Sequence, residues 1–314
     1  MKKSISFLFS IITACVLLTV SCKKNGDMPA DTQENLQVQS DDQSRVASET
    51  DLVADDANVV MNHASINQYD FNTPVAVDSS YNNIVCDATV TVDTMSNPKT
   101  ITITYNGAIC MGNRSRTGAV VLSMAKGMHW GDKDAVLTIK LQNLKIKRLS
   151  DNKSITLNGT KVITNVTGGR LINLPNVGTI THTIISTNMS ITFDDGRQRT
   201  WQVAKQRMFT YNNGVVISTT GIHNDATHQG ISEWGMNRFG RTFVSVITQP
   251  IVIRQDCAFR LVSGQVKLIR PDVTTVATFG LDANGNATTC PGTGSYYFKL
   301  VWTADKTYTV ILPY

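Results

Sequence analysis

The residues best suited to chemistry lie in one stretch, GIHNDATHQGISEW, which holds His223, Asp225, His228 and Glu233. Imidazole nitrogens and carboxylates are the donors that zinc and related divalent ions take. The spacing matches no recognised ligand set, and Asn, Asp, Thr and Gly at this density also describe a plain loop. A metal site at His223, Asp225 and His228 is therefore the lesser expectation. Paired carboxylates for glycosidic cleavage cannot be picked out. From residue 67 onward Glu233 is the sole glutamate. Asp132, Asp134, Asp194, Asp195 and Asp272 stand beside Gly, Pro or charged residues, where turns favour them. The chain has no Gly-x-Ser-x-Gly elbow and no His-Glu-x-x-His run. Neither an enzyme nor a cofactor is expected. His129, beside Trp130, and His182, in an alternating run, read as packed or rim residues.

Indole rings offer a second chemistry, stacking on sugars. Trp201 and Trp302 fall in alternating runs and are expected in the core. Trp130 and Trp234 lie in Gly-flanked stretches, HWGDK and EWGMN, and are the candidate glycan-binding residues, with loop packing as the plainer alternative.

The cysteines depend on where the chain resides. Lys2 and Lys3 precede an apolar run, Ile5 to Val20, that ends in Thr-Val-Ser-Cys. This is the pattern of a secretory leader, too short and wrongly flanked for a membrane crossing. Small residues before Cys22 resemble a bacterial lipobox, in which the thiol is acylated and the leader is cut just before it. Residues 1–21 are thus expected to be a lipoprotein signal peptide and Cys22 a lipid attachment point, with Thr19 where leucine is usual. Acyl chains would hold the chain at a membrane with about 0.8 kcal/mol per buried methylene. Cys15 leaves with the leader. Cys86, Cys110, Cys257 and Cys290 remain, an even count that suggests two disulfides in an exported chain. Of three connectivities, Cys86–Cys110 and Cys257–Cys290 are favoured, because each pair brackets neighbouring strands. A zinc knuckle is improbable, since no two of these cysteines stand two to four residues apart.

These groups need elements to position them. Residues 22–43 are polar and poor in large apolar side chains, the composition of a flexible tether. Between 44 and 66, Val46, Leu52, Val53, Val59, Val60 and His63 recur near helical spacing, an amphipathic helix too thin to stand alone. Nine acids against three bases lie between 22 and 66, so the formal +5 of the chain is concentrated after residue 66. Solvation together with docking of an acidic lead-in on a basic body is the plain reading; attraction of that body to acidic polysaccharide or anionic lipid is the alternative. No nucleic-acid motif is present and no such partner is expected.

From Val75 the apolar period becomes two. Lys99 to Tyr105 alternates strictly. Val136 to Ile146 alternates with a slip at Gln142-Asn143, the mark of a bulge or turn. Asn158-Gly159 and Asp195-Gly196 read as hairpin turns. Tyr296, Phe298, Leu300 and Trp302 share one face, and Tyr308, Val310 and Leu312 share another or the same face folded back. About a dozen strands with short turns imply an antiparallel meander over 67–314. The fold class is all-β, a curved sheet or open sandwich with one short N-terminal helix.

Together these residues resemble a family of uncharacterised envelope lipoproteins of the Bacteroidota. The resemblance rests on the leader and lipobox, the DQSRVASE helix start, the ITITYNGAICMGNRSRTG strand and turn, the CAFRLVSG block and the Gly…Cys hairpin from Phe279 to Cys290. It implies an outer-membrane lipoprotein, facing the periplasm or the surface, and supplies no catalytic residue. Asp93-Thr94-Met95 resembles the short Asp-Thr-aliphatic acceptor that such bacteria O-glycosylate. The expected function is a lipid-anchored structural or binding module without catalysis, whose partner is a polysaccharide or another envelope protein. Two alternatives stand beside it. One is a carrier of a lipid-like ligand in a half-barrel lined by Ile101, Ile103, Leu137, Ile139, Phe298 and Leu300. The other is a glycan binder using the loop tryptophans.

Overall fold

The computed structural model describes residues 79–82, 85–110, 114–288, 290, 294–303 and 306–314, with Val38, Asp42, Glu49, Thr50, Val53, Asp56, Ala57, Val60 and Met61. The leader and Cys22 lie outside the described residues. No described helix is long and apolar enough to cross a membrane.

Among the described residues, fifteen strands form one antiparallel sheet. They are β1 (Ser79–Asn82), β2 (Ala88–Asp93), β3 (Lys99–Ile109), β4 (Arg114–Met124), β5 (Ala135–Arg148), β6 (Ser154–Asn165), β7 (Thr179–Phe193), β8 (Gln198–Tyr211), β9 (Val215–Gly221), β10 (Ile231–Met236), β11 (Thr242–Arg254), β12 (Arg260–Ile269), β13 (Thr274–Leu281), β14 (Tyr297–Thr303) and β15 (Thr307–Pro313). Successive strands pair as a meander, because turns of a few residues permit only antiparallel neighbours. One departure interrupts it. β9 and β10 both pair with β8 and β11, end to end in one row. Residues 222–230 leave the row and return to it, closed by backbone bonds between His223 and Ile231. A short helix α1 (Leu174–Val177) follows β6, with Pro175 in its first turn and Leu174 buried.

Alternation gives the sheet two faces. The inner face of β2–β8 is aliphatic: Val90, Ile101, Ile103, Leu122, Leu137, Ile139, Leu144, Ile155 and Ile191 are buried in one cluster. The described residues from 49 to 61 all have helical backbone, and Val53, Ala57, Val60 and Met61 belong to that cluster. The expected helix therefore lies on the inner face of β2–β8. Of its expected stripe, Val53 and Val60 are buried; Val46, Leu52, Val59 and His63 lie outside the described residues. Three of its acids, or acids just before it, bind the sheet. Asp42 meets Arg238, Glu49 meets Arg114 at 2.8 Å, and Asp56 meets Arg116 at 2.5 Å. Val38 and Asp42 are helical and fall within the stretch expected as tether, so docked structure begins earlier than residue 44. Asp42 is an anchor for Arg238 rather than a solvating group.

The slip at Gln142-Asn143 is a bulge, with Asn143 at φ 47°. The expected hairpin at Asn158-Gly159 does not form. Both residues lie inside β6, opposite irregularities in β5 and β7. The Asn143 N–H donates to Asn158 Oδ1 at 2.7 Å, and Asn188 of β7 has φ 59°. The glycine thus permits two neighbouring bulges to meet it, the other use of a strand glycine. Gly118 of β4 continues the line, for a Cβ there would stand 2.2 Å from the Asn143 carbonyl oxygen. A crease crosses β4–β7, and bulges of this kind bend strands. The Asp195-Gly196 turn joins β7 to β8 as expected.

Cys86 meets Cys110 with Cα atoms 5.9 Å apart, and Cys257 meets Cys290 at 5.1 Å, the favoured connectivity. Cys86 stands between β1 and β2 and Cys110 just after β3, at one rim of the sheet. Cys257 follows β11 and Cys290 falls between β13 and β14, at the opposite rim. Each staple ties alternate turns along its rim.

Candidate interaction surface

The C-terminal four strands differ from the rest. Register places Leu268 opposite Thr275 and Val266 opposite Ala277, then Thr275 and Ala277 opposite Trp302 and Leu300. Past an irregularity, the Phe279 ring lies 5.9 Å from that of Phe298, which completes the β14 row Trp302, Leu300 and Phe298. Those three lie opposite Tyr308, Val310 and Leu312. Every one of these side chains projects from the inner face, since paired residues share a side. The two expected faces at Phe298–Trp302 and Tyr308–Leu312 are thus one face, folded back. The spacing left both arrangements open; the register of β14 with β15 selects the folded-back one.

Apart from Thr275, which is buried, the grid is apolar and half-exposed. All of β14 except Thr303 is intermediate in burial, and Leu312 is 40% exposed, whereas Ile101, Ile103 and Leu122 of the covered half are at most 2% exposed. Aromatic rings hold it together. Trp302 stacks on Tyr308 at 5.4 Å, and Phe279, Phe298 and Tyr314 lie 5.8–6.1 Å from one another. The Tyr314 hydroxyl donates to the Leu261 carbonyl at 2.7 Å and accepts the Gly280 N–H at 3.1 Å. Burial pushes that phenol above its ordinary pKa. Beside this face β15 ends the sheet; among the described strands it pairs with β14 alone.

The other candidates fall elsewhere. The metal set is not assembled. Asp225 accepts from the backbone N–H groups of Thr227 and His228 at 2.7 and 2.6 Å, which hold its carboxyl well below the usual range. His228 Nδ1 is 3.2 Å from it. His223 instead stacks on Trp234 at 4.2 Å. Glu233 points to the inner face, 2.6 Å from Lys205 and 3.4 Å from buried Arg199. Alternation sends residues 233 and 234 to opposite sides of β10. Among the described residues, the groups whose atoms approach closely enough to hold an ion are Cys86–Asp87–Cys110 and Asp256–Cys257–Cys290, and both contain a cysteine pair.

The two loop tryptophans form no common platform. Trp130 packs against the inner-face core, its ring 5.0 Å from His182, and its carbonyl accepts from Asn165 at 2.8 Å. Trp234 faces outward from β10, opposite Gln202. Trp201 is buried as expected; Trp302 is half-buried on the open face. His182 lies between Trp130 and Phe209, and burial lowers its pKa to about 4. Thr94 is buried, so its hydroxyl is not presented as a glycosylation acceptor.

The six positions expected to line a ligand cavity do not converge. Ile101, Ile103, Leu137 and Ile139 pack in the cluster that holds the helix residues, while Phe298 and Leu300 belong to the open face. A space of about 60 Å³ lies there, between Val53, Ile139, Leu141, Ile163 and Ile184. A depression of about 520 Å³ lies at the rim, between Pro98, Met124, Met128 and Val136. Comparison with family models, curated proteins and solved structures finds no match.

Proposed function

We propose that the chain is a lipid-anchored module of the cell envelope that acts by contact rather than catalysis, through the inner face of β12–β15. The observation that carries the reading is the contrast between the two halves of one sheet. The same alternation builds both inner faces, yet helix residues cover β2–β8 while no described element covers the aromatic grid of β12–β15. An open apolar face of this kind marks a contact site. The leader and Cys22 supply the address, and the outer membrane the anchor. The partner fitted to such a face is another envelope protein.

The filled inner face of β2–β8 favours contact over carriage of a lipid-like ligand. The separation of Trp130 from Trp234 favours it over glycan stacking.

Two measurements test the reading. The mass of the N-terminal peptide from envelope fractions should show loss of residues 1–21 and acyl chains on Cys22; an unprocessed chain in the cytosol overturns the anchor. Anilinonaphthalene sulfonate should bind the folded protein, and Leu300→Asp should abolish that binding with near-ultraviolet circular dichroism unchanged. Dye binding unaffected by Leu300→Asp overturns the contact face.

A further inference from the structure

The sheet has two ends, and they are unequal. β1 is four residues long, Ser79–Asn82, and shortness is one way an edge strand avoids pairing with another chain. β15 runs for seven residues, Thr307–Pro313, with no charged side chain and no bulge in its pairing with β14. Among the described residues its protective features are Pro313, the last residue, and the approach of Gly285, in the loop after β13, to the Ile311 side chain. Natural edge strands of this length usually carry a lysine, a bulge or a mid-strand proline.

We propose that β15 pairs antiparallel with β15 of a second copy of this chain, about a two-fold axis through Val310. The strand is complementary to itself. Val310 is the midpoint of Thr307–Pro313, so the axis there gives the fullest overlap. It sets Val310 opposite Val310, Tyr308 opposite Leu312 and Thr309 opposite Ile311. On the inner face the new row of Tyr, Val and Leu continues the one beside it, in which Trp302, Leu300 and Phe298 meet Tyr308, Val310 and Leu312. On the outer face Thr and Ile meet, with no like charges opposed. A two-fold contact requires one patch to fit its own copy, and an uncharged alternating strand does. Pairing satisfies the backbone groups of the edge and joins the two open aromatic faces into one surface. The inference extends the contact face proposed above by naming what sits at its border.

Sedimentation of the full chain carrying Cys22→Ser tests this without lipid. The expected result is a mass that rises from one chain to two with concentration and stops there. Thr309→Lys and Ile311→Glu, each on the outer face, should each shift the protein to the monomer. In the monomer Thr309 is exposed opposite Val301, and a glutamate at 311 would face Lys299 while giving up the contact of Ile311 with Gly285; unchanged far-ultraviolet circular dichroism shows that each variant is folded. In the symmetric pair each variant instead brings two like charges onto adjoining positions. Mixing the two variants should restore the dimer, because the introduced lysine of one chain then faces the introduced glutamate of the other. A wild-type chain that stays monomeric, a dimer indifferent to both variants, or open-ended growth from β1 meeting β15 would each overturn the pairing. A monomer that still binds the dye would overturn the pairing while leaving the contact face standing.

Discussion

Arg238 grips Asp42 across 196 positions of sequence, its Nε donating to the carboxylate at 2.7 Å. The guanidinium also lies 3.3 Å from the centre of the Phe193 ring. One side chain therefore ties the acidic N-terminal segment to the turn region between β10 and β11 and to the end of β7. Both partners of the pair are largely buried, at 13% and 9% side-chain exposure. Removing either takes the nearest opposite charge from a largely desolvated group, the costly half of such an interaction, although Arg238 would keep Asp195 at 3.6 Å. Arg238→Ala and Asp42→Asn should each lower stability by roughly 3 kcal/mol, read by urea unfolding with tryptophan fluorescence. The double variant should cost clearly less than the sum; strict additivity would mean that the two do not interact.

His182 makes stability fall in acid. Its folded pKa is held near 4 by burial, with Arg207 adding to the effect, while an unfolded histidine titrates near 6.5. The unfolded chain therefore binds more protons between these values. Stability is full above about pH 6.5 and declines as pH falls toward 4, by roughly 3 kcal/mol from this group. His182→Phe keeps an aromatic ring between Trp130 and Phe209 and removes the proton. Unfolding midpoints between pH 7 and 4 should then fall less steeply than in the wild type; an unchanged slope would assign the acid sensitivity elsewhere.

The crease can be tested with two glycines of similar backbone. Gly118 and Gly196 have φ of 100° and 79°. A Cβ on Gly118 would meet the Asn143 carbonyl, while Gly196 has nothing within 4 Å. Gly196→Ala should cost about 1 kcal/mol, the strain of a left-handed alanine. Gly118→Ala should cost at least about 3 kcal/mol, since backbone of β5 must also shift. Equal melting temperatures for the two variants would show that the close approach of β4 and β5 is not structurally required.

The rim staples should contribute separately. The pairs close loops with sequence separations of 24 and 33, each corresponding to roughly 3 to 4 kcal/mol in the chain-entropy model. Cys86→Ser with Cys110→Ser, and Cys257→Ser with Cys290→Ser, should each lower the unfolding midpoint without loss of strand content. The two losses should add, because the staples stand at opposite rims and share no contacts. Reductant should then have little further effect on the chain lacking all four cysteines.

Strand period, turn chemistry and cysteine count were written locally in the chain. Two-residue alternation led directly to β3, β5 and β14, Asp195-Gly196 to its hairpin, and even cysteine number to two pairs, because each depends on neighbours a few residues apart. Asn158-Gly159 shows the limit of such local signals. A positive-φ glycine serves a hairpin or a bulge equally, and only the irregularities of β5 and β7 on either side select the bulge. The same limit applies to His223 and Glu233, near in sequence but placed on opposite faces once β10 takes its register. Tertiary structure alone decided that Asp42 meets Arg238 and that helix residues cover β2–β8 rather than β12–β15. Those outcomes depend on contacts between segments far apart in the chain, where no period or spacing in the sequence specifies which apolar face receives the cover and which is left open.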